Sequence, residues 1–266
     1  MRSPIGIFDS GVGGLTVLGA LRQRLPAENF VYLGDTARLP YGTKSAATVQ
    51  RYAVNAAAHL AHHGIKLLVV ACNTASSYAL DVLVSTSAVP VVGVVEPGVR
   101  AAVATGPGRI GVIGTEGTVR SGAYQATLAR LAPEAAVEAV PCPLLVPLAE
   151  EGWGDHPVTD EVARIYLKPL LEWRVETVIL GCTHYPLLRP SLQRVVGPAV
   201  RLVDSAAAVA DTVAVDHADL VTPGSGGGTV RIELTDASDR FLRITRAILG
   251  GEPERLAVVD VDSGSP

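Results

Sequence analysis

Two cysteines stand in nearly matching settings. Residues 67–76 read L-L-V-V-A-C-N-T-A-S, and residues 177–186 read T-V-I-L-G-C-T-H-Y-P. In each, a short apolar run ends in a small residue, then a cysteine, then polar residues. A free cysteine alone is commonly a small core residue. Two of them, Cys72 and Cys182, at equivalent strand ends favour a chemical role. Thiols on opposite walls of a cleft suit proton removal from one face of a carbon and proton return on the other. Such a thiol is a useful base near neutral pH when a helix N-terminus or hydrogen bonds favour the thiolate. The third cysteine, Cys142, sits in V-P-C-P with no polar follow-up and reads as structural.

Other polar groups fall where ligands bind in open α/β sheets, beyond the carboxyl ends of strands. Asp9-Ser10-Gly11-Val12-Gly13-Gly14 follows the first strand. Its glycines allow a tight turn whose N–H groups attract anions, and a carboxylate is a fitting guest. Such turns also occur for structural reasons, and the segment has neither the phosphate-loop nor the dinucleotide order. Tyr41-Gly42 lies beyond the second strand, Asn73-Thr74 beyond the first cysteine, and Thr183-His184 beyond the second. His184, two residues after Cys182, is placed to handle a proton. Glu150, in E-E-G, lies past the sixth strand and within reach of the same cleft. His59, His62 and His63 have no carboxylate nearby in sequence and read as a solvated helix face; no metal site is expected.

The elements that must position these groups follow a β-α-β-α rhythm. Strands are expected over 5–9, 30–34, 67–71, 91–95, 110–114, 137–141, 178–181 and 200–204, mostly apolar on both faces, as parallel strands covered by helices are. Helices are expected over 15–25, 46–63 and 158–173, the last with Val162, Ile165 and Tyr166 at helical spacing. Three anchors recur in order at offsets of roughly 105–110 residues: the first strand, the cysteine strand and the strand after it. The expected fold is therefore α/β: two similar doubly wound lobes related by a pseudo-twofold, with the site in the cleft between them. The first lobe takes residues 1–97 and 208–266, and the second takes 98–207. E-P-G at 96–98 and T-G-P-G at 105–108 flank the crossover, and the chain returns near Ser205. A Gly-rich loop at 222–228 precedes a strand (230–234), a helix (237–249) and an apolar run (256–261), which pack back on the first lobe. Residues 262–266 read as frayed.

Bulk properties narrow the function. The chain has 266 residues, 48% of them hydrophobic, and a net charge of −4. It has no basic cluster for nucleic acid and no apolar run long enough to span a membrane. The start of the chain lacks the pattern of a signal peptide, so the expected compartment is the cytoplasm, where the three thiols stay reduced. An odd cysteine count without C-x-x-C favours neither disulfides nor a zinc site.

The segments G-I-F-D-S-G-V-G-G-L-T (6–16), Y-L-G-D-T-A (32–37), P-Y-G (40–42), A-C-N-T-A (71–75), E-P-G (96–98), P-L-A-E-E-G (147–152) and L-G-C-T-H-Y-P-L (180–187) carry a close resemblance. The chain resembles the cofactor-independent, two-cysteine aspartate/glutamate racemase family, and within it the glutamate enzymes. The match runs to about residue 204 and weakens beyond. The resemblance implies interconversion of L- and D-glutamate, supplying D-glutamate for peptidoglycan, with no pyridoxal phosphate, metal or nucleotide. It implies that Cys72 takes the Cα proton from D-glutamate while Cys182 protonates the opposite face, the roles reversing from L. Asp9 then assists Cys72, and His184 with Glu150 assists Cys182. Asp9, Ser10, Tyr41, Gly42, Asn73, Thr74, Thr183 and His184 take substrate-binding positions. The family forms homodimers in more than one arrangement. Aspartate racemisation is the nearest rival. Related decarboxylases keep one catalytic cysteine, and a non-catalytic amino-acid binder needs no opposed thiols. The N-terminal extension of relatives said to bind gyrase is not found ahead of the first strand.

Overall fold

The computed structural model describes residues 2–106, 108–251, 253 and 255–261. Two parallel sheets form from runs too apolar to leave either face in water. In chain order the first part comprises β1 (Ile5–Asp9), α1 (Leu15–Arg24), β2 (Phe30–Gly34), α2 (Ala46–Ala61), β3 (Leu67–Val70), α3 (Asn73–Thr86), β4 (Val91–Gly93) and α4 (Val95–Val103). Next come β5 (Arg109–Gly114), α5 (Glu116–Ser121), α6 (Ala123–Leu131), β6 (Ala136–Pro141), α7 (Leu145–Glu150), α8 (Pro157–Glu172), β7 (Thr177–Gly181), α9 (Arg189–Val196) and β8 (Arg201–Asp204). The chain closes with α10 (Ser205–Asp216), β9 (Val230–Leu234), α11 (Asp239–Leu249) and β10 (Leu256–Val258).

The first sheet has the order β10-β9-β2-β1-β3-β4, and the second β6-β5-β7-β8. Stripped of β9 and β10, the two orders are the same, with β1 matching β5 and β3 matching β7. This is the internal repeat that the sequence anchors suggested. Every residue of β1, β2, β3 and β7 is buried. Each sheet is covered on both faces. One face of the first packs Ile7, Tyr32 and Val69 with Leu15, Leu18 and Val209; the other packs Phe8, Leu33 and Val70 with Val49, Ala53 and Ala79. In the second sheet Val178 and Leu180 face Leu167, Leu170 and Leu192, while Val112 and Ile179 face Val95, Val99 and Leu128.

The lobes are joined through helices. The boundaries expected at 97/98 and 207/208 fall inside α4 and α10. Pro97 is accommodated in the first turn of α4, where its missing N–H costs no helical hydrogen bond. Pro107 and residues 262–266, read respectively as part of the crossover and as frayed, lie outside the described residues.

Two readings need correction. Ile165 does not belong to the buried stripe of α8; it is 73% exposed, because the stripe runs through Val162, Ala163, Tyr166, Leu167 and Leu170. His59 and His63 do not form a purely solvated face. Glu233 of β9, distant in sequence, reaches both rings. Only His62 is exposed.

Leu180 precedes Cys182 on β7 and is fully packed. Leu180→Ala is expected to cost about 2–5 kcal/mol of stability through a cavity in the second lobe. A urea midpoint measurement checks this.

Candidate active site

Ala71 follows the last residue of β3, and Cys72 is the N-cap of α3. The sulfur accepts a 3.4 Å hydrogen bond from the Ala75 backbone N–H and lies 3.3 Å from Ser10 Oγ. Burial, followed by the charge of Asp9, pushes the Cys72 thiol up to about 12, against the opposing pull of Ser10 and Ala75. A helix N-terminus is therefore present, as expected, but the dry surroundings outweigh it. Asp9 is fully buried. Its Oδ2 accepts from the N–H groups of Gly11 and Gly14, each at 3.0 Å. The tight turn of D-S-G-V-G-G thus wraps the chain's own carboxylate.

The second thiol is built differently. Cys182 is followed not by an α-helix but by a 3-10 turn at Tyr185–Leu188. Its support is a side chain: His184 Nδ1 lies 3.8 Å from Cys182 Sγ. His184 Nε2 lies 3.2 Å from Glu150 Oε1, an ion-pair separation without hydrogen-bond alignment. Arg240 on α11 completes the chain, 3.0 Å from Glu150 Oε2 and 3.1 Å from Glu151 Oε1. Burial alone would drive the His184 pKa down. The contacts with Cys182 and Glu150 overcome it and hold the imidazolium up to about 10. Burial likewise pushes Glu150 up, but His184 and Arg240 win and keep it below the usual carboxylate range.

Both thiols line one cavity of about 170 Å³. The first lobe contributes Ser10, Tyr41, Gly42, Asn73 and Thr74, and the second Thr183 and His184. Asp9 and Glu150 are not among the lining residues; they stand behind Cys72 and His184. Asp9 is enclosed by its own turn, behind Cys72. The lining also includes Thr115, Glu116, Pro143, Val146 and Pro147, which sequence reasoning missed. Thr115 was within reach of the strand-end rule: it follows β5 as Ser10 follows β1. Its hydroxyl lies 2.9 Å from that of Thr74 and 3.0 Å from that of Thr118. These three threonines tie the lobes together at the cleft. Asn73 donates across the lobes to the Tyr124 hydroxyl at 2.7 Å. Among the described residues, no lysine or arginine lines the cavity. An anionic guest is met by hydroxyls and backbone N–H groups.

Close approach explains two glycines. A methyl at Gly13 would lie 2.5 Å from Thr183 Oγ1 and 2.7 Å from His184 Nδ1. One at Gly42 would lie 2.6 Å from Thr115 Cβ. Tyr41 and Gly42 are held by Asp35, which accepts a short hydrogen bond from the Tyr41 hydroxyl and pairs with Arg38 Nε at 2.7 Å.

A two-lobed α/β protein with a thiol on each wall of one cleft matches known proteins closely. The Asp/Glu/Hydantoin racemase family profile covers residues 14–213, and the chain belongs to that family. It is 53% identical to the glutamate racemase of Geobacter metallireducens over 93% of both chains. Glutamate racemase from Thermus thermophilus, solved with beta-chloro-D-alanine, superposes with a TM-score of 0.88 at 46% identity, covering 98% of each chain. Glutamate racemase from Francisella tularensis, solved with D-glutamate, superposes with a TM-score of 0.91 at 34% identity, covering 98% of this chain and 99% of that one. Within the family, then, the chain stands with the glutamate racemases, and it is an amino-acid racemase.

Two outcomes test this geometry. Gly13→Ala should lower kcat/KM at least tenfold with little change in Tm, since the added methyl strikes Thr183 and His184 at the cleft rather than a lobe core. The His184 pKa is raised in the folded state, so its contribution to stability is present below about pH 6.5 and is lost as pH rises toward about 10. Subtracting the Tm–pH curve of His184→Gln from that of the wild type should leave a difference that shrinks over this window.

Proposed function

We propose that the protein interconverts L- and D-glutamate by two-thiol proton transfer at the α-carbon, without a cofactor. The observation that carries this reading is the pair of cysteines lining one cavity in opposite electrostatic settings. Burial and the charge of Asp9 hold the Cys72 thiol well above its usual range, while Cys182 faces the His184 imidazolium, whose Nδ1 lies 3.8 Å from its sulfur. One thiol and one thiolate are what each turnover requires.

With L-glutamate bound, the Cys182 thiolate takes the Cα proton and the Cys72 thiol supplies one to the opposite face. The product is the D-enantiomer, with Cys182 protonated and Cys72 ionised. The reverse reaction starts from that state. Ser10 and the Ala75 N–H are then positioned to donate to the Cys72 thiolate, and Asp9 drives it to take a proton back. The carbanion forms next to a carboxylate that is already negative. The hydroxyls of Thr74 and Thr115 and the N–H groups at the start of α3 offer donors that strengthen as that charge grows. Such a donor is worth about 10²–10³ in rate when preorganised. Exclusion of water strengthens these interactions, and closure of the lobes on substrate accomplishes it.

The product fits a supply of D-glutamate for peptidoglycan. We also take the compartment to be the cytoplasm, whose reducing poise suits three free thiols, and the assembly to be a homodimer. Aspartate is the second candidate substrate. The near-full-length glutamate racemase relatives favour the longer side chain.

Proton NMR of L-glutamate in D2O tests the reading. The wild type should lose the Cα–H signal and form D-glutamate, and Cys72→Ser or Cys182→Ser should slow racemisation by about 10²–10⁴-fold. An intact protein that leaves the Cα–H of glutamate unexchanged would sink the assignment. Exchange with aspartate instead would identify the wrong substrate.

A further inference from the structure

Away from the cleft, one cluster has the residue types and the convergence of a metal site. His59 lies in the last turn of α2 and His63 in the turn that follows, one helical turn apart and on one face. Their Nε2 atoms lie 2.7 and 3.1 Å from a single atom, Oε2 of Glu233 on β9. The three ligand atoms all lie within 4.8 Å of one another. Glu233 is 1% exposed, so its carboxylate has no access to bulk water. Its other oxygen, Oε1, is fixed by Arg231 Nε at 2.5 Å. That contact orients Oε2 toward the imidazoles, as outer hydrogen bonds orient the ligands of metal sites. In register with Glu233 on the two neighbouring strands stand Leu33 and Ala257.

The geometry is close to what an ion needs. Zinc bonds of about 2.0–2.2 Å to nitrogen and oxygen, at tetrahedral angles, place adjacent ligand atoms about 3.3 Å apart. The 2.7 and 3.1 Å separations from Glu233 Oε2 are shorter than that value, so the rings would turn outward to admit an ion. The histidine side chains are 20% and 24% exposed, which gives an entry path and leaves outer positions for water. Two imidazoles with one carboxylate select against Mg²⁺ and Ca²⁺, which prefer oxygen ligands throughout, and for late first-row ions. None of the three residues lines the catalytic cavity.

We propose that His59, His63 and Glu233 form a binding site for one divalent transition ion of the Zn²⁺ type. The ion would clamp α2 of the repeated unit to β9 of the C-terminal extension. Its role is to hold that extension in place, not to take part in proton transfer.

Cysteine thiolates are themselves zinc ligands, so the test uses a Cys72→Ser/Cys182→Ser background as well as the wild-type chain. Chelator-treated protein is titrated with ZnCl2 by calorimetry and with CoCl2 by visible absorption. The proposal expects one ion per chain in the double-serine background, a cobalt spectrum of nitrogen and oxygen ligation without a thiolate charge-transfer band, and a rise in Tm with zinc. His63→Ala in the same background should weaken binding at least tenfold and remove the Tm rise, with its far-UV circular dichroism unchanged. His59→Gln, which keeps a polar side chain, provides a second reading if His63→Ala folds poorly. Absence of binding in the double-serine background would overturn the proposal and leave the cluster as hydrogen bonds only. So would binding that persists unchanged in both histidine variants.

Discussion

The cleft depends on how closely the two α/β lobes approach each other. The turn after β1 in one lobe must meet the turn after β7 in the other, and the Tyr41–Gly42 segment must meet the start of α5. Any side chain at Gly13 or Gly42 would hold these surfaces apart. With glycine there, Thr16 Oγ1 lies 3.3 Å from the Thr183 carbonyl, and Thr74, Thr115 and Thr118 share hydrogen bonds across the gap. Two thiols borne on different sheets are thereby brought onto one small cavity.

The approximate twofold repeat of the backbone is not carried into the electrostatics. Cys72 is set among a buried carboxylate, a hydroxyl and a helix N-terminus. Cys182 is set beside an imidazolium backed by Glu150 and Arg240. A buried acid stands behind one thiol, and burial with that charge raises the Cys72 pKa; a cation stands beside the other. A symmetric pair of thiols would lack this difference in partners.

The C-terminal extension takes part in the site. Arg240 on α11 reaches across to Glu150 in the second lobe. Thr235, just past β9, donates to Asp35 at 3.0 Å, and Asp35 holds Arg38 and Tyr41. Thr36 and Asp236 bond reciprocally between side chain and backbone. The weakest part of the sequence resemblance thus contains residues that steady both walls of the cleft. The contacts of Thr235 and Asp236 join residues 200 positions apart and that of Arg240 residues 90 apart, and no local pattern announces them.

Apolar runs with period-free burial gave the strands, and the strands ended within a residue or two of where the runs did. The repeat was legible because each lobe solves the same packing problem with the same order of elements. Cys72, Cys182 and the polar residues after them were legible because chemistry in open sheets sits at strand ends. Thr115 obeyed the same rule and was overlooked. The sequence by itself thus determined which residues could be chemical, since residue type and position on a strand are local properties. Only the tertiary structure decided that Asp9 is enclosed by its own turn, that Glu150 meets both His184 and Arg240, and that Glu233 faces His59 and His63. Those are contacts between distant segments, and their energies depend on burial and distance, which exist only once the chain has packed.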